Sequence, residues 1–338
     1  MNKDIFCTLG PTSMNGRVIQ RLAELGATLF RINLSHTTLD DVGSIIDFIR
    51  GYTDVPVCLD TEGAQVRTGT FADEYVKVED NEIIQILFES VSGNKRRFNL
   101  YPSNIISQLQ VGDFISIDFN TVLVQVSNIT RQALVLRVLN GGLIGSNKAV
   151  TVERSLTMPP LTDKDISALA IGIDKGVKHV ALSFANRAED VEEIRQHVGD
   201  SVFIISKIEC RNGVANLENI AYKSDGILID RGDLSREFPV EHIPALQKQI
   251  ILRTQAIGRK VYVATNLLES MVADPVPTRA EVNDVYNTLV DGVDGLVLAA
   301  ETAIGKHPIA CASMIVKLIR SFERGGDLSA NYYASNPV

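Results

Sequence analysis

Two short segments set charged side chains at the ends of otherwise apolar runs. In residues 204–210, IISKIEC, the run ends in Lys207, Ile208 and Glu209. Alternate side chains of a strand share a side, so Lys207 and Glu209 point together. Charged groups are rarely buried unless paired or bound to a metal, so the two read either as a structural ion pair or as working chemistry. A second segment favours the latter: in residues 224–235, SDGILIDRGDLS, an apolar run stops at Asp230, Arg231, Gly232 and Asp233. Asp233 falls just past the strand end, and Gly232 beside it gives backbone freedom for close approach to a ligand. Two carboxylates, Glu209 and Asp233, near a lysine suit a Mg2+ (or Mn2+) ion that keeps several waters and holds anionic substrate oxygens.

Earlier in the chain, LFRINLSHT at 29–37 sets Arg31, Asn33 and Ser35 at alternate positions of a second strand, and CLDTEG at 58–63 ends a third with Asp60 and Thr61. Arg31 offers a guanidinium for a phosphoryl group, and the hard oxygens of the others could hold a monovalent cation. Any one of them alone reads equally well as a polar cap on a strand rim. His179, His197, His242 and His307 show no HxH or HExxH spacing and read as surface or capping histidines; His36 alone is expected near the site.

The elements that must position these residues follow from hydrophobic spacing. Strand-length apolar runs occur at 5–9, 28–34, 55–61, 179–184, 203–208, 226–230, 261–265 and 295–300. Between them lie segments with helical spacing, including 18–25, 163–175, 188–197, 245–257 and 280–291. Eight βα alternations point to an α/β fold that closes as a (β/α)8 TIM barrel, although periodicity alone leaves an open doubly wound sheet available. The alternation is broken once, over 64–157, by short alternating β-branched segments such as 82–88, 113–117 and 133–138. They read as an inserted all-β domain. Leaving after strand three, at the end where barrels place their chemistry, it is expected to act as a lid. The expected organisation is barrel at 1–63 and 158–325, lid at 64–157, and a loose polar tail at 326–338.

Composition narrows the function classes. A formal charge of −8 over 338 residues argues against a broad nucleic-acid footprint, which needs clustered Lys and Arg. No apolar run approaches the ~20 residues of a membrane span. Cys7, Cys58, Cys210 and Cys311 lie far apart with no CxxC pair, so neither a zinc site nor a disulfide framework is indicated. The start, MNKDIFCTLGPTS, has no signal-peptide core, and a cytoplasmic location is expected.

In order, CTLGPTS, RINLSH, LDTEGAQVRTG, GGLIGSNKAV, SKIE, DGILIDRGDL, VATNLLESM with PVPTRAEVNDV, and VLAAETAIGKHP resemble the motifs of the pyruvate kinase family over nearly the whole chain. The resemblance implies a (β/α)8 domain interrupted by a β-barrel lid, and transfer of a phosphoryl group between phosphoenolpyruvate and ADP, giving pyruvate and ATP. By position, Lys207 resembles the lysine that stabilises the phosphoryl group in flight, and Glu209 and Asp233 the ligands of Mg2+. Arg31 would grip the phosphate, Thr265 would lie near the face where the enolate is protonated, and the backbone around Gly232 would receive the substrate carboxylate. Asn33, Ser35, Asp60 and Thr61 match the family's potassium site; Asn33, His36, Arg67 and the lid residue Lys148 match positions that meet the nucleotide.

The chain also departs from the family. It ends soon after the eighth helix, where relatives continue into a C-terminal domain, so sugar-phosphate control is not expected and the family tetramer is not assumed, though a homo-oligomer is compatible. The family's LDTKGPE is LDTEGAQ here, setting Glu62 where lysine is common and Gln65 at a position linked to potassium use. ARGDLG has become DRGDLS, adding Asp230 beside the metal site, and LSGET has become LAAET, where Ala299 removes a hydroxyl. KKGVNLPG is NKAVTVER at 147–154. Two other readings therefore stay open: metal-dependent enolate chemistry on pyruvate or another 2-oxo acid, of aldolase or decarboxylase type, and a non-catalytic homologue with a binding or regulatory role.

Overall fold

A computed structural model describes residues 3–63, 65–118, 121–154 and 156–325. The expected tail, 326–338, lies outside the described residues. The chain divides into two compact units, one of residues up to Gly63 together with those from Pro160, the other Ala64–Pro159.

In the first unit eight parallel strands form a closed barrel in chain order: Asp4–Leu9, Leu29–Asn33, Val57–Asp60, His179–Leu182, Phe203–Ile208, Gly226–Asp230, Lys260–Ala264 and Gly295–Leu298. Closure comes from the first strand pairing with both the second, Phe6 opposite Leu29, and the eighth, Asp4 opposite Gly295. Helices alternate with the strands, and their ends are fixed locally. Thr162 and Thr278 each open a helix with a reciprocal capping box, to Asp165 and Glu281.

Alternation sorts every strand into two faces. Ile5, Cys7, Ile204, Ile208, Ile227 and Ile229 pack outward under the helices. Phe6, Leu29, Cys58, Ala181, Ile205, Leu228, Tyr262 and Val297 fill the cylinder. Two residues further along come Thr8, Arg31, Asp60, Lys207, Asp230 and Ala264 on the same inward face of their strands, and Ser183 and Ala299 just past the ends of theirs. The barrel interior thus changes from apolar to charged within one pleat, toward the C-terminal strand ends.

Several strands are shorter than their apolar runs. The second stops at Asn33, because Asn33 Oδ1 accepts the Ser35 N–H at 2.9 Å and turns the backbone into a single 3-10 turn, Leu34–His36. Ser35 is therefore not on the strand face that Arg31 and Asn33 share, contrary to the alternation expected from sequence. The fourth stops at Leu182 and the eighth at Leu298. Beyond strand three, the buried Asp165 carboxylate accepts the N–H groups of Glu62 and Gly63, at 2.7 and 3.1 Å, and holds the exit of the chain.

The second unit is all-β. Seven strands close a small barrel in the order Ala133–Asn140, Ile83–Leu87, Arg97–Tyr101, Val66–Thr68, Ala149–Val152, Phe114–Ile117 and Val122–Ile129. All pairs are antiparallel except Ile83–Leu87 with Arg97–Tyr101. Alternate residues such as Ile84, Ile86, Ile115, Ile117, Val122 and Val124 form its core.

Candidate active site

Strand five presents Lys207, 7% exposed, into the C-terminal mouth of the larger barrel. Its Nζ donates to Ser183 Oγ at 3.0 Å and lies 2.9 Å from Glu209 Oε1, 3.4 Å from Asp60 Oδ1 and 4.0 Å from Asp230 Oδ2. Burial works against the ammonium, but Asp60, Glu209 and Asp230 outweigh it and hold its pKa above the ordinary lysine range. In this arrangement the three carboxylates favour Lys207 as a cation.

Arg31 is equally enclosed. Its Nε donates to Thr8 Oγ1 at 2.9 Å and its Nη1 lies 3.1 Å from Asp60 Oδ2. Asp60 thus bridges the two cations. Ser183 completes the arrangement by donating to the Thr61 carbonyl at 2.7 Å, while its N–H donates to Thr61 Oγ1 at 2.9 Å. Thr8 and Ser183 were not singled out from sequence; their signal is only that each follows an inward apolar residue by two positions.

Glu209 is 1% exposed. Phe184, whose φ of +51° is rare for a non-glycine residue, turns its N–H to donate to Glu209 Oε2 at 2.6 Å. Asp230 and Asp233 follow from strand six and the short helix Arg231–Glu237. Burial pushes both the Glu209 and Asp233 carboxyls up; Asp233 adds to the rise at Glu209, and Asp230 to the rise at Asp233. Such a set fits a hard divalent cation. Glu209, Asp230 and Asp233 each offer a carboxylate oxygen within 4.8 Å of the others. Oxygens bound at about 2.1 Å around Mg2+ span up to about 4.2 Å, so small rotations suffice. Glu209 Oε1 and Asp233 Oδ1 are moreover enclosed without a hydrogen bond. Lys207 and Arg236 approach them at 2.9 Å, as ion pairs lacking hydrogen-bond geometry.

Thr265, with φ +69°, ends strand seven in the left-handed region. Its Oγ1 accepts the Gly232 N–H at 2.9 Å and lies 3.2 Å from Asp230 Oδ1, and its carbonyl accepts from Arg231. Gly232 sits within the first helical turn, and its φ is not positive. A Cβ there would meet Asp230 Oδ1 at 3.4 Å, ordinary contact. Backbone freedom is therefore not what this glycine contributes, contrary to the sequence-based expectation, and its N–H is already engaged by Thr265.

Of the other expected residues, Asn33 is half-buried with Oδ1 on Ser35, and His36 is exposed. Arg67 and Lys148 belong to the second unit. There Arg67 donates to Gln65 and to the Asn147 carbonyl, and Lys148 pairs with Asp118 at 3.1 Å over the Tyr75 ring.

Fold and site define a (β/α)8-barrel protein whose strand ends hold a buried lysine and arginine among four carboxylates, a centre suited to a divalent cation and an anionic ligand. Comparison with known proteins narrows this class. The family profile described as "Pyruvate kinase, barrel domain" matches residues 1–312. The pyruvate kinase of Thermotoga maritima is 34% identical over 330 residues, covering 95% of this chain and 71% of the relative. Those of Bacillus licheniformis and Geobacillus stearothermophilus are each 35% identical, covering 90% of this chain and 54% of the relative. The chain belongs to the pyruvate kinase family, and spans from about half to seven-tenths of the length of these relatives.

Proposed function

We propose that the chain is a pyruvate kinase-like phosphotransferase, moving a phosphoryl group between phosphoenolpyruvate and ADP with Mg2+ or Mn2+. The observation that carries this reading is Lys207, buried and held as a cation beside Glu209, with Asp233 and Arg31 converging on the same mouth. Glu209 and Asp233 would hold the cation, which when bound supplies a positive charge for substrate oxygens.

The remaining work belongs to side chains. Phosphoryl transfer is mostly positioning and charge stabilisation, so a fixed ammonium and guanidinium in a site screened from water suffice without a covalent intermediate. Lys207 meets charge on the transferring group. Arg31, oriented by Thr8 and Asp60, grips the phosphate. Thr265, anchored by Gly232, faces the carbon that takes up a proton.

Asn33, His36, Arg67 and Lys148 are assigned to the nucleotide by likeness of position. Asn33, Ser35, Asp60 and Thr61 are assigned to potassium in the same way, although Asn33 Oδ1, Asp60 and Thr61 Oγ1 have protein partners. Among the described residues no helix is long and apolar enough to cross a membrane; a cytoplasmic location is proposed.

A coupled assay with ADP, phosphoenolpyruvate, Mg2+ and K+ tests the reading: ATP formation is expected. The extra carboxylate Asp230 and the missing hydroxyl at Ala299 favour one second reading, enolate chemistry on a 2-oxo acid. Exchange of pyruvate methyl protons without nucleotide, in a protein that forms no ATP, would establish it instead.

A further inference from the structure

Asp230 does two things with its two oxygens. Oδ1 accepts the Asp233 N–H at 3.4 Å, capping the helix that carries Asp233, and lies 3.2 Å from Thr265 Oγ1, whose shorter acceptor is the Ala264 carbonyl at 2.6 Å. Oδ2 turns the other way, 4.0 Å from Lys207 Nζ, a separation too long for a hydrogen bond. The side chain is 6% exposed, and a carboxylate taken from water in this way needs a compensating positive charge.

The cations nearby supply it only in part, through Lys207 at 4.0 Å. Lys207 lies closer to Glu209 and Asp60, Arg31 is engaged by Asp60, Arg236 by Asp233 and Arg231 by Asp284. Leaving aside the Arg231–Asp284 pair, four carboxylates face three cations, and Asp230 is the surplus acid. It comes within 4.8 Å of Glu209 and Asp233 at their ligand oxygens. A second observation points to the same place: Glu209 Oε1 and Asp233 Oδ1 are enclosed there without a hydrogen bond, each meeting only an ion-pair partner at 2.9 Å, Lys207 and Arg236.

We infer that Asp230 is a third protein ligand of the divalent cation, binding it directly through Oδ2 before any anionic substrate arrives. This rests on the cation reading of the site given above. Direct ligation by three carboxylates removes one water from the ion and strengthens its hold in the empty enzyme, because each added anion raises the affinity of an oxygen site.

The test uses the whole chain and Mn2+ alone, followed by electron paramagnetic resonance, with coordinated waters counted in 17O-enriched water. Asp230→Asn and Asp230→Ser both keep a good helix cap, so folding is preserved and is checked by thermal melting. Both variants are expected to weaken Mn2+ binding by about tenfold or more. Both are also expected to add one water to the bound ion. Unchanged affinity, or unchanged hydration with weaker binding, overturns the inference, since the latter is what a charge acting at a distance would give. Glu209→Gln separates the two levels. If the wild type binds Mn2+ and Glu209→Gln loses it while both Asp230 variants behave as wild type, only this inference fails. If the wild type binds no Mn2+, the cation reading fails with it.

Discussion

The two mouths of the barrel are built from similar side chains put to different use. At the N-terminal mouth Asp4, His179, Phe203, Lys260 and Tyr262 help line a cavity of about 130 Å3. Asp4 pairs with Lys260 at 3.1 Å and accepts from the Tyr262 hydroxyl at 3.3 Å. Acid and base are matched, the lysine is about half exposed, and burial lowers the pKa of His179 so that it is neutral near pH 7. At the C-terminal mouth Asp60, Glu209 and Asp230 are nearly inaccessible and acids outnumber bases. A charged barrel end is therefore no sign of function by itself. Surplus charge that is buried and incompletely hydrogen-bonded is, because such an arrangement is costly unless a ligand completes it.

Removing the fixed cation at the C-terminal mouth should have the largest effect. Lys207→Met is expected to lower kcat by about 1,000-fold, at the upper end for loss of one preorganised charge. Mn2+ binding should persist, measured by paramagnetic resonance; loss of the ion instead would mean that Lys207 and Glu209 have been given each other's roles.

Next comes Glu209→Gln, expected to weaken Mn2+ binding by about 100-fold or more. The same change should stabilise the metal-free protein by removing a charge that burial disfavours and Asp233 and Asp230 repel, an effect larger than the lost attraction of Lys207. A rise in Tm of about 2–4 °C corresponds to about 1 kcal/mol in a domain of this size.

That stability difference should depend on pH. The folded pKa of Glu209 is raised from its ordinary 4.5, so the folded state binds this proton more tightly than the unfolded chain. Its contribution is fully present below pH 4.5 and is lost as pH rises through the raised folded value. Without metal, the Tm advantage of Glu209→Gln should therefore be absent at acid pH and grow toward neutrality. A difference that is flat with pH would show that Glu209 is already compensated.

The smallest effect belongs to the other mouth. Lys260→Ala breaks a half-exposed pair and should cost no more than about 1 kcal/mol by denaturant unfolding, with activity unchanged. A large loss of either would erase the contrast between the two ends.

Much of this was legible in the residues. Apolar runs with period two, each followed by helical spacing, announce the βα units, and Lys207, Glu209 and Asp233 stand out because charges rarely end buried strands. Ser183 and Thr8 do not stand out, since a hydroxyl at a strand end has many uses. Their importance comes from partners 123 and 23 positions away, Asp60 and Arg31. The placing of Ser35 was misjudged for a local reason: a side-chain bond from Asn33 competes with the strand, and alternation carries no signal of it.

The sequence by itself determined the elements, their order and the inward face of each strand, because these depend on local sterics and on which side chains avoid water. Closure of the cylinder was expected from the eight alternations; what only the tertiary structure decided is which side chains it brings into contact. It brings strands two, three, five and six around one mouth, so that Asp60 reaches both Arg31 and Lys207, and Asp230 joins Glu209. The physical reason is that such convergence depends on strand neighbours and register, which residues far apart in the chain settle jointly and no single segment encodes.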